Sequence, residues 1–341
     1  MMASPTPELC RAVNHLAALV GGTPLVEIRY RFNGQPRRLY AKYESMNMTD
    51  SVKDRMALHI LRRAAERGEL RPGAVIVEAS SGNTGISFAA IGRALGHRVR
   101  IYMPDWMSLE RTLLMHGLGA DVVPVSKAQG GFVGSIRMTE EYGAENSNTF
   151  LPRQFSNTDN TEAHELTTGP EIQAQLLLLG READGFVAGV GTGGTVMGVA
   201  RALRSRGRNV RVHPLEPANS PTLRTGKKVG NHRIQGISDE FIPAIVKLDQ
   251  LDPVIDVWDG DSILMAQALG HRLGLAVGIS SGANVVGAMK LVEEMGTEAT
   301  IVTVLPDSNR KYLSTALPQA EPPQDDYITP QVQLQSFISV R

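Results

Sequence analysis

The chain has 341 residues, enough for two domains that each bury a hydrophobic core. Its 35 basic and 35 acidic residues give a formal net charge of zero, so we expect neither nucleic acid nor an anionic membrane as a partner. The single cysteine, Cys10, excludes an internal disulfide and a thiolate metal cluster. The sequence shows no signal-peptide pattern and no apolar run of transmembrane length, and we therefore expect a cytoplasmic protein.

The first 45 residues indicate a peripheral helix followed by two strands. Residues 5–20 have a mildly helical pattern, and Gly-Gly-Thr-Pro-Leu-Val at 21–26 indicates a turn that enters a strand. Residues 39–44 indicate a second strand. We expect residues from about 13 to 45 to pack on the second domain of the chain.

Ser-Val-Lys-Asp-Arg at residues 51–55 opens the next helix. Ser51 followed three residues later by Asp54 is a capping-box pattern, and the apolar stripe of the helix ends at Gly68. Lys53 then lies in the first helical turn, where the helix dipole disfavours a cation and lowers the lysine pKa. A neutral amine can form a Schiff base. The alternative is an ordinary solvated lysine, which this turn alone does not exclude.

A second helix-opening turn follows a short buried strand at residues 74–77. Ser-Ser-Gly-Asn-Thr-Gly at 80–85 precedes a helix that is apolar on nearly all sides, as a buried helix is. Hydroxyls, an amide and free backbone N–H groups at a helix N-terminus form a site for a carboxylate or a phosphate. An ordinary Ser or Asn cap is the alternative, but four polar side chains exceed what one cap requires.

Strands and helices alternate through the rest of the chain. This alternation is typical of an α/β architecture in which mostly parallel, twisted sheets are flanked by helices. The apolar runs predict further strands at residues 99–103, 122–125, 185–190, 210–215 and 300–305, with helices near 108–116 and after Gly130.

We expect two domains and a tail. The smaller N-terminal domain spans residues 1–153, and the larger C-terminal domain spans residues 154–317. Residues 318–326 are rich in proline and acidic residues, which is typical of a linker. We therefore expect residues 318–341 to be a loosely ordered tail, although 332–340 alternate weakly and could form a strand.

A glycine-rich stretch at residues 189–195 (Gly-Val-Gly-Thr-Gly-Gly-Thr) follows a predicted strand and opens a helix, so a phosphate could lie on the helix N-terminus. It also satisfies G-x-G-x-x-G, with Glu216 after the next strand, which keeps an NAD-dependent oxidoreductase open. Against this alternative, the motif lies past the middle of the chain, and its threonines suit a terminal phosphate. A dehydrogenase would also leave Lys53 and Asn83 without a role.

A third motif, Gly-Ile-Ser-Ser-Gly at residues 278–282, fits the nucleophile elbow of serine hydrolases. That fold places its catalytic histidine after the serine, whereas the last histidine of this chain is His271. We therefore do not expect a hydrolase. The eight histidines show no metal-ligand spacing, and we expect no metal.

The turns at 51–55 and 80–85 together resemble the cysteine synthase and cystathionine β-synthase family. These are pyridoxal phosphate enzymes of the tryptophan synthase β fold type, fold type II. Gly-Thr-Gly-Gly-Thr at 191–195 matches the phosphate cup of the family, and residues 21–26, 107–111, 154–157 and 164–172 are similar as well. The resemblance extends from about residue 21 to 315. It implies two α/β domains, pyridoxal 5'-phosphate as cofactor, and a homodimer.

The resemblance also implies a role for each matching residue. Lys53 would hold the cofactor as a Schiff base and then act as base on the substrate α-proton. Asn83 would bond the phenolic oxygen of the cofactor, and Ser280 would meet its ring nitrogen. A neutral serine there favours loss of a β-leaving group over transamination. The phosphate would lie on Gly191, Thr192, Gly193, Gly194 and Thr195, and the substrate carboxylate on Ser80, Ser81, Gly82, Thr84 and Gln154.

The activity that the resemblance implies is β-replacement on an O-activated serine. We expect a cysteine synthase that converts O-acetylserine and sulfide to cysteine and acetate, so its partners are an amino acid and a sulfide or thiol nucleophile. Departures from the family at residues 48–50, at Ser80 and at residues 238–240 (Ser-Asp-Glu) leave both the leaving group and the nucleophile open.

Two alternatives remain within this resemblance. A cystathionine β-synthase-like or diaminopropionate-type replacement would use another nucleophile or leaving group. A non-catalytic protein that retains the cofactor would tolerate loss of Lys53 or Gln154, and the presence of both argues against it.

Overall fold

A computed structural model describes residues 7–205 and 207–341 of the chain. Residues 1–6, with which the predicted N-terminal domain begins, lie outside the described residues. The part of the chain before residue 154 contains α1 (Pro7–Leu16), β1 (Leu25–Phe32), β2 (Gln35–Tyr43), α2 (Lys53–Glu66), β3 (Val75–Ala79), α3 (Asn83–Ala94), β4 (Arg98–Pro104), α4 (Leu109–Gly117), β5 (Asp121–Val125), α5 (Gly131–Glu145) and β6 (Thr149–Phe150).

The part after residue 154 begins with two helices joined by a π-helical turn at His164–Thr168. Its elements are α6 (Asp159–Ala163), α7 (Gly169–Leu178), β7 (Gly185–Gly189), α8 (Gly194–Arg204), β8 (Arg211–Pro217), α9 (Thr222–Thr225), β9 (Ile255–Val257), α10 (Asp259–Leu273), α11 (Ile279–Met295), β10 (Ile301–Leu305) and β11 (Val332–Val340). Within the described residues, no helix is both long and apolar enough to span a bilayer.

The smaller sheet has four strands in the order β5-β4-β3-β6, and all of its pairs are parallel. Every residue of β3 is buried, as expected for a strand of a parallel sheet covered on both faces. The helix that follows, α3, is buried at every position from 84 to 92, which confirms the predicted buried helix. Gly96 ends this region with a positive φ of 82°.

The larger sheet has seven strands in the order β11-β1-β2-β10-β7-β8-β9. The pairs from β2 to β9 are parallel, and β1 is antiparallel to both of its neighbours. One hydrophobic core lies between this sheet and α10 and α11, and another lies between the sheet and α7 and α8. The α/β fold with two helix-flanked sheets is therefore confirmed, while the boundary at residues 153 and 154 stays a prediction.

Residues 332–340 correct the expectation of a loosely ordered tail. They form β11, which pairs antiparallel with β1 along its length and makes the edge of the larger sheet. Val332 and Leu334 pack against the core of that sheet. The weak alternation of this segment is compatible with a strand but does not establish one, and the proline-rich stretch before it is a connection rather than the start of disorder.

The turn before α2 also differs from the predicted capping box. Asp54 accepts hydrogen bonds from the N–H and Oγ1 of Thr49, both at 2.6 Å, instead of turning back to Ser51. Ser51 forms an isolated antiparallel bridge with Asp307 and accepts the N–H of Lys53 at 3.1 Å. Lys53 is nevertheless the first residue of α2, as predicted.

Candidate active site

The carboxyl ends of strands from both sheets open onto one cavity. In α/β sheets this is where ligands bind, because the loops and helix N-termini that follow the strands meet there. β3 leads into the turn at residues 80–84, β7 into the glycine stretch, and β10 into Pro306. The residues predicted from the sequence that line this cavity are Lys53, Ser80, Ser81, Gly82, Asn83, Thr84, Gln154, Gly191, Thr192, Thr195 and Ser280.

The two other predicted residues, Gly193 and Gly194, lie within the same loop at the start of α8. A Cβ atom on Gly191 would collide with the carbonyl oxygen of Gly236, and one on Gly194 would collide with Oδ1 of Asn160. Gly193 has a positive φ of 86°, which disfavours other residues. The loop therefore presents bare backbone at the N-terminus of an eleven-residue helix, the arrangement that binds a phosphate.

Side chains of α6 and of the π-helical turn hold the two threonine hydroxyls of the glycine loop. Thr192 Oγ1 accepts a hydrogen bond from Nδ2 of Asn160 at 2.9 Å. Thr195 Oγ1 lies 3.3 Å from Nε2 of His164, whose Nδ1 lies 2.8 Å from Oγ1 of Thr168. Burial lowers the pKa of His164 to about 3, so its ring is neutral and orients Thr195 as a hydrogen-bonding partner rather than as a charge.

Lys53 lies in the cavity at the N-terminus of α2. Burial lowers the pKa of its ammonium group, and the carboxylates of Asp239 and Asp307 oppose part of that effect. Burial also raises the pKa of Asp239 to about 6, against the attraction of Lys53. The lysine thus has a larger neutral fraction than a solvated lysine, which suits both a nucleophile and a base.

The turn after β3 is fixed by Ser80. Its Oγ accepts the backbone N–H of Gly82 at 3.1 Å and of Gly85 at 2.9 Å, while its own N–H donates to the carbonyl of Tyr102. Ser80 is buried, so its hydroxyl acts mainly as an internal cap of the turn. Ser81 is less buried and lines the cavity.

Gln154 brings a second segment to this turn. Its Oε1 accepts the hydroxyl of Thr84 at 2.7 Å, and its Nε2 donates to the carbonyl of Ala79 at 2.7 Å. Its backbone N–H donates to Oε2 of Glu78 at 3.1 Å. Burial raises the pKa of Glu78 to about 7, against the two backbone N–H groups that favour its ionised form.

Asn83 and Ser280 approach the cavity from helices that pack on different sheets. Asn83 is the first residue of α3, and Ser280 lies in the first turn of α11. Oδ1 of Asn83 is buried without a hydrogen-bond partner among the described residues, and its Nδ2 donates one N–H to Oδ2 of Asp307 at 2.7 Å, which leaves that nitrogen a second N–H for an acceptor such as a phenolic oxygen. An amine, a bare phosphate cradle, an amide and a hydroxyl in one cavity fit the aldehyde, phosphate, phenolic oxygen and ring nitrogen of pyridoxal 5'-phosphate.

Arg111 is a cavity residue to which the sequence analysis assigns no role. It is 2% exposed, its guanidinium lies 4.7 Å from the centroid of the Tyr312 ring, and its Nη1 donates to Oγ of Ser108 at 3.2 Å. Its Nε has no acceptor among the described residues. The similarity of residues 107–111 to the family is the signal that could have identified it. A buried cation beside Gly82 provides charge for an anionic substrate.

The surroundings of Glu216 argue against the NAD-dependent oxidoreductase, because this carboxylate would have to bind the ribose of the dinucleotide. This residue is fully buried, its Oε2 accepts the N–H of Leu223 at 2.6 Å, and its Oε1 accepts Nε of Arg224 at 2.8 Å. It does not line the cavity and is not free to bind a ribose. The hydrolase alternative also lacks its base, because no histidine is among the described residues that line the cavity.

Comparison with known proteins agrees with this geometry. Residues 16–307 match the sequence model of the family described as "Pyridoxal-phosphate dependent enzyme". Cysteine synthase from Staphylococcus aureus is 39% identical over 310 residues, which cover 90% of this chain and 97% of that protein. The solved structure of a hydrogen sulfide-producing enzyme from Fusobacterium nucleatum is 51% identical with a TM-score of 0.93, and the match covers 96% of this chain and 99% of that one.

Cysteine synthase from Entamoeba histolytica is 36% identical with a TM-score of 0.82, and the match covers 91% of each chain. Each of these three matches covers nine-tenths or more of this chain. The chain therefore belongs to the pyridoxal-phosphate dependent enzyme family, as a cysteine synthase-like enzyme whose cofactor is pyridoxal 5'-phosphate.

Proposed function

We propose that this enzyme catalyses β-replacement on an O-activated serine, with O-acetylserine and sulfide as substrates and cysteine and acetate as products. The observation that carries the proposal is the placement of Lys53 in one cavity with the turn at 80–84 and the glycine loop at 191–195. Two relatives with the name cysteine synthase support it.

The residues that would hold the cofactor come from four helix N-termini, those of α2, α3, α8 and α11. The loop at 191–195 would take the phosphate, Asn83 the phenolic oxygen, Ser280 the ring nitrogen and Lys53 the aldehyde. When bound, pyridoxal 5'-phosphate supplies an electron sink for the bond electrons of the substrate α-carbon. Because Ser280 is neutral, it does not hold a proton on the ring nitrogen as a carboxylate would. This weaker sink favours prompt loss of a β-leaving group.

Lys53 moves the α-proton. With the cofactor and the substrate amine bound, the amine of Lys53 would be free in the cavity to accept the proton from the substrate α-carbon. The electrons of that C–H bond would serve to expel acetate from the β-carbon. After sulfide has added to the β-carbon, Lys53 would return the proton to the α-carbon to give cysteine. Burial lowers the pKa of Lys53, so the neutral amine required as a base is available nearer to neutral pH.

The substrate carboxylate would bind at the N-terminus of α3. Ser81, Gly82, Thr84 and Gln154 surround this position, and the helix N-terminus favours a negative charge there. Ser80 contributes by holding the turn, because its hydroxyl already accepts two backbone N–H groups.

Asp239 favours a second candidate reaction, the release of hydrogen sulfide from cysteine. Here the Cβ–S bond of cysteine breaks, sulfide leaves, and a nucleophile H–X loses its proton as it adds to the β-carbon. Hydrosulfide is already an anion near neutral pH and needs no base, whereas water or a thiol does. Asp239 lies in the cavity and can accept that proton when it is ionised. The 51% identical relative is called a hydrogen sulfide-producing enzyme.

We also propose that the enzyme is a homodimer, as the resemblance implies, that it is cytoplasmic, and that its domain boundary lies near residue 153. Size-exclusion chromatography with light scattering tests the dimer. A single species at twice the chain mass of 36.9 kDa supports it, and a monomer at working concentration contradicts it.

Two product assays test the proposed function. Cysteine formation from O-acetylserine and sulfide, and sulfide release from cysteine, are measured on the wild type and on Lys53→Ala. The variant should lose both activities to background while cofactor still binds through the loop at 191–195. Lys53→Arg is the matched control, because it keeps the cation but supplies no neutral amine, and it should be equally inactive. Full activity of either variant would overturn the assignment.

A further inference from the structure

The loop after β10 connects the larger sheet to the Lys53 turn. The carbonyl of Pro306 accepts the N–H of Val52 at 2.8 Å, and Asp307 forms an isolated antiparallel bridge with Ser51. Further along the loop, Lys311 Nζ donates to the carbonyl of Thr49 at 2.7 Å. Residues 306–311 therefore fasten the start of α2 to the end of β10.

Asp307 lies at the centre of this connection and is completely buried. Its Oδ2 accepts Nδ2 of Asn83 at 2.7 Å and the hydroxyl of Tyr312 at 2.6 Å. Burial raises the pKa of Tyr312 well above its usual range, so the phenol keeps the proton that it donates. A carboxylate only accepts hydrogen bonds, so Asn83 must turn its amide nitrogen towards Asp307.

Asp307 also contacts the turn that carries Ser280. Its backbone carbonyl accepts the N–H of Gly278 at 3.1 Å. A Cβ atom on Gly278 would collide with Oδ1 of Asp307 and lie 2.6 Å from the Tyr312 ring, so the side chains pack directly on this glycine. One buried carboxylate thus touches both Asn83 and the segment two residues before Ser280.

We propose that Asp307 is a positioning residue for the reaction. It holds one N–H of the Asn83 amide, which leaves the second N–H of the same nitrogen for the phenolic oxygen of the cofactor. It also fixes the position of that amide relative to the turn before Ser280. This inference rests on the proposed function, because it requires Asn83 to face the cofactor. The sequence analysis assigns Asp307 no role.

A double-mutant cycle on the holoenzyme tests the proposal. The variants are Asn83→Ala, Asp307→Ala and the combination, and the readouts are kcat/KM and the position of the cofactor's visible absorption band. Asp307→Ala should lower kcat/KM by about tenfold to a hundredfold, the size expected for a charged hydrogen bond, and should move the band in the same direction as Asn83→Ala. Because both single variants lose the bond between Asp307 and Asn83, the loss in the double variant should be clearly smaller than the sum of the two single losses, and what remains beyond Asn83→Ala reports the effect of Asp307 on Lys53 and on the turn before Ser280.

Asp50→Asn is the matched control. The Asp50 carboxylate bonds the same loop at Ser308 and Arg310 but does not contact Asn83. Its φ of 58° is one that asparagine adopts readily, so the variant should fold normally. It should leave the absorption band and kcat/KM unchanged.

Additive losses in the cycle, or an unmoved band in Asp307→Ala, would overturn the proposal. If Asp307→Ala does not fold or does not retain cofactor, the same cycle with Asp307→Asn decides between additive and non-additive losses. If Asn83→Ala itself leaves the band and the rate unchanged, the role proposed for Asn83 fails and this inference fails with it. If Asn83→Ala lowers kcat/KM and moves the band, but the loss from the change at residue 307 simply adds to it, this inference fails while the role proposed for Asn83 stands.

Discussion

Replacing Asp239 by asparagine should separate the two candidate reactions. Burial raises the pKa of Asp239 to about 6, so its carboxyl is about nine-tenths ionised at pH 7 and about one-tenth ionised at pH 5. A base must be ionised to accept a proton. For sulfide release from cysteine, kcat/KM should therefore fall about tenfold from pH 7 to pH 5, on an acid limb centred near pH 6.

In Asp239→Asn that acid limb should disappear, and sulfide release at pH 7 should fall by about a hundredfold, the lower end for loss of a general base. Cysteine formation from O-acetylserine and hydrosulfide should fall much less, because its nucleophile needs no base. The assay is the initial rate of each reaction against pH at constant ionic strength. Glu240→Gln is the control, since Glu240 is exposed and does not line the cavity that holds Lys53; because Glu240 raises the pKa of Asp239, this variant should keep the acid limb and move it to lower pH. An unchanged acid limb in Asp239→Asn, or equal loss of both reactions, would refute the role of Asp239.

Three further predictions concern other parts of the molecule. Arg111→Gln should raise KM for O-acetylserine about tenfold to a hundredfold with a smaller change in kcat, because Nε of this buried guanidinium has no other acceptor; an unchanged KM contradicts this. The pKa of Glu78 is about 7 in the folded state and about 4.5 in the unfolded state, so the folded protein binds the proton more tightly between these pH values. As the pH rises from 4.5 to 7, the wild type should therefore lose up to ~1.4 kcal/mol of unfolding free energy per pH unit relative to Glu78→Gln. Urea titrations that show a constant difference between the two proteins contradict this. Deleting residues 332–341 removes the partner of β1 and the packing of the half-buried Val332 and Leu334, and should cost about 1.5–3 kcal/mol of stability and promote aggregation through the open edge; an unchanged melting midpoint contradicts it.

Local sequence patterns were sufficient for the parts of the site that each lie on one turn. Lys53 lies at a helix start, the turn at 80–85 begins a buried helix, and the glycine loop begins α8. At residues 80–85 and 191–195 a few consecutive residues determine the backbone, because the cap, the glycines and the apolar run are neighbours in sequence. The Lys53 turn is instead held by Thr49 and by the loop after β10. The strand–helix alternation likewise predicted the two α/β sheets.

The contacts that join distant segments were not predictable in this way. Asp307 and Asn83 are 224 positions apart, and nothing near Asp307 in the sequence indicates that its carboxylate meets that amide. Arg111 is similar, because residues 107–111 resemble the family but do not by themselves indicate that the guanidinium lies beside Gly82. The capping box failed for the same reason. Asp54 is buried, and Thr49 offers it two donors that the short-range pattern did not include.

The tail shows how tertiary pairing decides a weak local pattern. Residues 332–340 alternate too loosely to predict a strand by themselves. They become β11 because β1 presents an unpaired edge of matching length, and backbone pairing along that edge stabilises the segment. The partner strand lies at the opposite end of the chain, so a local pattern cannot reveal it.

The central claim is that this chain uses pyridoxal 5'-phosphate on Lys53 for β-replacement. The most direct test is the visible absorption spectrum of the purified holoenzyme before and after O-acetylserine, and again after sulfide. We expect a cofactor band that moves to longer wavelength with O-acetylserine and returns with sulfide, and that does not respond in this way in Lys53→Ala. The absence of any cofactor band after addition of pyridoxal 5'-phosphate, or the same response in Lys53→Ala, would contradict it.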